Sequence, residues 1–345
     1  MFPKKLDISN GDIMKNKNSL INIAVVGAGY WGPNLIRNFR KLAKVRIKSV
    51  CDVDRKRLEL IKKNYPDINT TRDFNEILTD SEITAVVLAL PTRLNYQFAK
   101  KSLDRGKHVL TESPFASNPA QAKVLCRVAK KKKRVLMVDH TFVYTGEVLK
   151  IKELVDKGRL GEIYYFDSER LEVEPPRPAA NLIWDLGSRD ASIIDYLFRQ
   201  KPIKVLGIGS KDMAHIIFNH ERRLISHIHL SWLSSVKSKK ILIGGDKRMI
   251  VYDDIEPTEK VKIYDKESEA GLEEVTPFKP LYRKGNVFIP KLGQAEPMET
   301  MARHFIDCIR YGKKPLTSGE AGLRVMKMLE AAERSIKNKG KAATI

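Results

Sequence analysis

Cysteine is scarce in these 345 residues, with Cys51, Cys126 and Cys308 standing singly. No CxxC pair and no even framework exists, which excludes a disulfide scaffold and points to inert thiols in a reducing compartment. Long apolar runs are missing too. Nothing approaches the roughly 20 apolar residues that cross a bilayer, and residues 1–20 lack the apolar centre of a secretory signal. The expected setting is cytoplasmic, with 1–20 a flexible polar tail and no membrane partner. Acidic residues are outnumbered, 42 against 63 Lys and Arg, leaving a net charge of +21. Such a field attracts nucleic acid, anionic membrane or a phosphorylated small molecule alike. Its densest run, Lys130 to Arg134, follows an amphipathic stretch at 120–129, where cations complement the negative end of a helix dipole. No interleaved aromatics or nucleic-acid motif stand beside it, so no nucleic acid is expected as partner. Nucleic-acid binding through the basic surface stays open as a third hypothesis, and it predicts site-selective binding at physiological salt. Among seven scattered histidines, His215 and His220 lie near a strand end, and His227 and His229 share one strand face. Neither pair has Cys or carboxylate at metal-ligand spacing, so no metal is expected.

What is present is an alternation of short apolar runs and amphipathic stretches from Ile21 onward, the order that builds a parallel sheet covered by helices. Strands are predicted at 21–26, 46–51, 85–90, 108–111 and 135–138, with helices at 33–41, 55–64, 74–78, 95–105 and 120–130. After Tyr144 the pattern changes to a helix at 147–156, a strand at 163–167, a Pro-rich loop over 172–181 and a helix at 192–198. Strands follow at 204–209, 225–232, 240–244, 249–253 and 262–265, two of them joined by a turn signal at Gly244-Gly245-Asp246-Lys247. Helices at 298–311 and 321–338 close the chain. The predicted class is α/β: a Rossmann doubly wound parallel sheet over 21–144, then a C-terminal α+β domain over 145–340 with a largely antiparallel sheet.

Gly27, Gly29 and Gly32 stand directly between the first strand and the first helix. The first permits a tight turn, the second lets backbone approach a pyrophosphate, and the third lets helix and strand pack closely. Free N–H groups at the helix start then hold the phosphates. Ala28, Tyr30 and Trp31 complete this cofactor loop, and Asp52 follows 25 residues after Gly27 at the end of the second strand. A carboxylate there accepts from the adenosine ribose and repels a 2′-phosphate, which favours NAD over NADP. The alternatives are that Asp52 caps the helix starting near Arg55, or that Arg55 accommodates a 2′-phosphate.

From Asn22 to about Lys339 the chain resembles the glucose-fructose oxidoreductase / inositol dehydrogenase (Gfo/Idh/MocA) family. The stretches that carry the resemblance are VGAGYWGPNLIRNF, CDVDRKRLE, GKHVLTESP, DHTFVYTGEVLKIKELVDKGRLGEI, IWDLGSRDASIIDYL, HIHLSWL and GLRVMKMLEAAERS. They look like the branch that oxidises nucleotide-linked amino sugars in bacterial polysaccharide synthesis. The resemblance implies an open-faced second sheet, a small-molecule sugar or sugar-nucleotide substrate, and a homo-oligomer, dimer or tetramer. It further implies cofactor contacts from Leu90, Pro91 and Glu112, and substrate contacts from Tyr144, Arg177, Asn181 and Trp184.

The family's catalytic groups are the Lys of an E-K-P motif and an Asp and a His four apart at a helix start. Here the first motif reads Glu112-Ser113-Pro114, and Asp185 is followed four residues later by Arg189. A protonated guanidinium cannot act as base, and an unassisted serine hydroxyl is neither a cation nor a useful base. Asn95, Thr145-Gly146 and Ala179 depart from the pattern as well. Two readings follow. In one, the chain is an oxidoreductase acting on a sugar hydroxyl, with Asp185, Asp190, His140 or Tyr144 as substitute proton acceptor. In the other, it is a catalytically impaired NAD(H)-binding sensor or oligomer partner, with Arg189 an anion clamp or paired to Asp185 or Asp190.

Overall fold

The computed structural model describes residues 19–173, 181–266 and 285–345. Most of the N-terminal tail, and the Pro-rich stretch with Arg177 and Ala179, lie outside the described residues. The first sheet comprises β1 (Ile21–Val26), β2 (Val45–Cys51), β3 (Asn69–Thr71), β4 (Ile83–Leu88), β5 (His108–Glu112) and β6 (Leu136–Asp139). All are parallel, in the order β3-β2-β1-β4-β5-β6. Helices α1 (Trp31–Arg40), α2 (Arg55–Asn64), α3 (Phe74–Thr79), α4 (Thr92–Asp104) and α5 (Pro119–Lys131) connect them. β1 reads as a continuous apolar run because both of its faces are covered, and Ile21, Ile23, Ala24 and Val25 are fully buried. The strand order reverses between β1 and β4, the place where such sheets bind ligands outside their carboxyl ends.

The second sheet has nine strands: β7 (Ile163–Leu171), β8 (Pro202–Gly209), β9 (Met213–His220), β10 (Ile225–Ser231), β11 (Ser238–Gly245), β12 (Arg248–Asp253), β13 (Val261–Asp265), β14 (Val287–Phe288) and β15 (Ala343–Thr344). Their order is β14-β13-β12-β11-β7-β10-β9-β8-β15, and among the described residues only β7 with β10 is parallel. The accompanying helices are α6 (Gly146–Asp156), α7 (Ser188–Leu197), α8 (Pro297–Tyr311) and α9 (Gly319–Lys337). The fold class is as the sequence predicts, with instructive differences. β9 went unrecognised although Ala214, Ile216, Phe218 and His220 alternate inward along it. β7 runs four residues beyond the expected end because Arg170, unexpected in a buried position, points inward. β3 and β15 are short polar edges with no period to detect.

Contacts group the chain into two units, one running to Thr145 and taking in Ala295–Met326, the other Gly146–Gln294 with Lys327–Ile345. α8, which the sequence boundaries leave in the second domain, therefore belongs with the first. Its Phe305 meets Phe39 of α1 edge to face at 6.4 Å, and Glu296 accepts from Arg37 at 2.6 Å. Among the described residues no helix is long and apolar enough to cross a membrane.

Candidate active site

The glycine loop is built as its spacing requires. Gly27 has φ +99°, and a Cβ there would lie 2.3 Å from the Ala89 carbonyl oxygen; a Cβ on Gly32 would lie 2.2 Å from that of Gly27. Gly29, by contrast, faces open space apart from Arg57 Nη1 at 3.7 Å. Tyr30 at the start of α1 offers no side-chain cap, and the first turn carries no acid. The helix N–H groups and their positive dipole end are thus left for an anion. Exposed Tyr30 and Trp31 stand edge to face beside the loop, centroids 4.8 Å apart. These residues fit the pyrophosphate of a dinucleotide.

Asp52 is buried, and both its oxygens serve the backbone: Oδ2 accepts from Ala28 N–H at 2.6 Å and Oδ1 from Asp54 N–H at 2.8 Å. It does not cap α2, which Asp54 caps by accepting from Lys56 and Arg57 N–H. Nor is Arg55 the cation at this site. Arg55 pairs with Glu59 on the exposed face of α2, whereas Arg57 Nη1 stands 3.7 Å from Asp52 Oδ2. Leu90 and Pro91 lie beyond the end of β4, two residues shorter than expected, and the Leu90 side chain lies beside Gly27.

Ser113 follows β5 in a cis peptide with Pro114. Asn95 of α4, fully buried, donates its Nδ2 to the Pro114 carbonyl at 2.9 Å and to that of Glu112 at 3.4 Å, so it braces the Glu-Ser-Pro turn. Glu112 and Asp139 are register partners at the carboxyl ends of parallel β5 and β6. Burial first, and Asp139 second, pushes the Glu112 carboxyl well above the usual range. Burial also raises Asp139, while the hydroxyl of Thr141, which donates to Asp139 Oδ1, and a backbone hydrogen bond partly oppose the rise. Asp139 escaped the sequence reading; its only signal is that an acid ends each of two adjoining strands.

Two expected substitute bases of this unit are core residues. Tyr144 is fully buried in a short 3₁₀ turn, Thr141–Tyr144, with its hydroxyl 2.9 Å from Thr317 Oγ1. Burial drives its pKa well upward, so it serves neither as base nor as a substrate contact. His140, just before that turn, is buried as well.

In the second unit, Asp185 lies in a single π-helical turn, Ile183–Gly187, that runs directly into α7. Turns of this kind are frequent at functional sites. Asn181 is a cap rather than a free substrate ligand: its Oδ1 accepts from Ile183 and Trp184 N–H at 3.0 and 3.3 Å, and its Nδ2 donates to Glu333 at 2.7 Å. Trp184 is half-buried and Asp185 exposed. Asp190 is no substitute base. It accepts from Arg170 Nε and Nη2 at 3.0 and 2.9 Å, with both side chains buried. Its bidentate partner is therefore Arg170 and not Arg189. Arg189 is half-buried, and burial first, then Arg170, lowers its pKa against the pull of Asp185, Glu172 and Asp190. Even so lowered, a guanidinium remains a cation and a fork for anions.

A Rossmann sheet carrying an anion-ready glycine loop, followed by a mixed nine-stranded sheet, defines a dinucleotide-binding chain of oxidoreductase type. Residues 21–140 match the family model described as an oxidoreductase family with NAD-binding Rossmann fold, and 148–251 match the GFO/IDH/MocA C-terminal domain. The chain belongs to the Gfo/Idh/MocA family. An uncharacterized oxidoreductase of Schizosaccharomyces pombe is 35% identical over 133 residues, 36% of either chain, so the match spans about a third of that relative's length. The myo-inositol 2-dehydrogenase of Thermotoga maritima is 21% identical over 337 residues, 92% of this chain and 97% of that one. In fold the chain is similar to the UDP-N-acetylglucosamine 3-dehydrogenase GnnA of Acidithiobacillus ferrooxidans, with TM-score 0.80 and 19% identity over 92% of this chain and 98% of that one.

Proposed function

We propose that the protein is an NAD-dependent oxidoreductase acting on a secondary hydroxyl of a sugar or nucleotide sugar. The observation that carries this reading is the buried Asp52 tied at 2.6 Å to the backbone of the glycine loop. It fixes a negative charge where the adenosine ribose would lie and disfavours a 2′-phosphate. Gly27, Gly29, Gly32 and the uncapped start of α1 would hold the pyrophosphate. The dinucleotide, when bound, would supply the acceptor for the hydrogen removed from carbon. Arg189, four residues after Asp185, would steady an anionic or hydroxyl-rich part of the substrate. Assembly as a homodimer or homotetramer through the second unit is part of the same proposal.

The second reading, a cofactor-binding protein without turnover, is favoured by Ser113 and Arg189, which stand in place of the family's lysine and histidine. The two separate when the protein is incubated with NAD and UDP-N-acetyl sugars and the reduced cofactor is followed by absorbance. A steady rise with unmodified protein removes the second reading. A flat trace that becomes a rise only after Ser113→Lys with Arg189→His removes the first for that substrate.

A further inference from the structure

The first unit contains a pair of acids to which neither reading gives a part in the chemistry, although the resemblance makes Glu112 a cofactor contact. Glu112 and Asp139 close two adjoining parallel strands in register, so their side chains leave the same face at the carboxyl end of the sheet. That edge is where sheets of this order bind their ligands. Each acid keeps some exposure and is open to proton exchange. Glu112 directly precedes Ser113 in the turn that Asn95 braces.

The surroundings decide how the pair holds its proton. Two half-buried carboxyls in register on neighbouring strands do not both ionise easily, so the Glu112 proton is held above the usual carboxylate range. Thr141 donates to Asp139, which favours the anion there and leaves the proton on Glu112. Of the groups around Asp139, burial holds Tyr144 protonated, and the Cys308 thiol that acts on Tyr144 is pushed up by burial to about 12. His140 adjoins Asp139 along the chain.

We infer that the Glu112–Asp139 pair is the proton acceptor and donor of this protein, taking the place of the family's lysine. This rests on the dehydrogenase reading above. With a dinucleotide bound as hydride acceptor, the Glu112 carboxylate would take the hydroxyl proton while the C–H hydrogen left with its bonding pair and C–O became C=O, the sugar being oxidised and the dinucleotide reduced. Asp139 acts through Glu112 as a positioning residue, setting the pH at which Glu112 gives up its proton. Oxidation therefore accelerates as pH rises through the raised Glu112 value, and the reverse reduction slows.

The test combines Glu112→Gln and Asp139→Asn with three measurements. These are ¹³C-detected carboxyl titration of the cofactor-free protein, NADH binding by fluorescence, and the pH profile of sugar oxidation. Expected are one carboxyl titrating above the usual range, its return toward that range in D139N, NADH affinity unchanged in D139N and altered in E112Q by far less than the rate, and a loss of about 10²- to 10⁴-fold in rate for E112Q. D139N should move the rising limb of the profile to lower pH. The inference is overturned if the wild type is active while both variants keep its rate and profile, or if the loss merely follows weakened NADH binding. Should the wild type bind NADH yet never turn over, the dehydrogenase reading fails by itself. The carboxyl titration then still decides the pair, and ordinary titration of both acids overturns it.

Discussion

Asp190, buried in the first turn of α7, and Asp139, half-buried at the end of β6, are acids under opposite conditions. Asp190 meets Arg170 in a two-point hydrogen-bonded pair. Burial would lower the Arg170 pKa, but Asp190 more than offsets it and holds the guanidinium above its usual value. Asp139 accepts from Thr141 but has another acid, Glu112, as its register partner, and both rise. A buried acid facing a cation is settled and supports the second sheet. A half-buried acid facing an acid is unsettled, and unsettled ionisation is what a site of proton transfer requires.

Breaking the settled pair should give the largest effect. Arg170→Met leaves Asp190 charged and unpartnered, and chemical denaturation should show a loss of about 3–5 kcal/mol. Arg170→Met with Asp190→Leu should recover most of it, since a hydrophobic replacement of a buried pair is often neutral. A single-variant loss below about 1 kcal/mol would show that water reaches this pair, and the contrast with Asp139 would go. Next in size is Asp52→Ala. Removing an anion that accepts from Ala28 and Asp54 N–H costs about 1.5–3 kcal/mol of interaction. NADH affinity should fall about 10- to 100-fold by fluorescence titration. NADPH affinity should fall less, because the Asp52 charge that repels a 2′-phosphate goes while Arg57, paired also with Asp54, stays beside the site. Equal losses for both would remove Asp52 as the discriminating residue.

How much of this was legible depends on distance along the chain. The glycine loop and its helix could be read because turn chemistry is local, and Asp52 because it ends the next strand. The Glu112–Asp139 pair could not be read, since it exists only once β5 and β6 are in register. Arg170 with Asp190 joins a strand to a helix in the same way. Tyr144 misled in the opposite sense: a phenol suggests a reachable proton, and only packing shows it sealed beside Thr317. Asn181, expected from the resemblance to touch substrate, instead caps the turn that begins at Ile183.

Glu112→Gln should make the protein more stable at neutral and alkaline pH. Its folded pKa is raised above the ordinary 4.5, by burial first and Asp139 second. Such a group adds stability below the unfolded value and loses it as pH rises through the folded one. The variant should therefore gain on the order of 1 kcal/mol at about pH 8 and no advantage near about pH 4, in thermal melts across pH. A variant less stable than wild type at every pH would mean that Glu112 is an ordinary structural acceptor.

The smallest effect is expected where the geometry looks as good as in the buried pair. Glu153 on α6 accepts from Lys157 at 2.6 Å and from Lys150 at 3.0 Å, and these two bonds hold its pKa down to about 2. A depressed carboxyl adds stability above its unfolded pKa and loses it as pH falls toward the folded value, so the sign is opposite to that of Glu112. Yet all three side chains are at least partly open to solvent, where water and salt screen the attraction and long side chains lose freedom to make it. Glu153→Gln should thus shift the thermal midpoint less than Glu112→Gln does, and the shift should vanish in high salt. A cost matching that of Arg170→Met would mean that bond geometry, and not exclusion from water, separates the settled acid from the unsettled one.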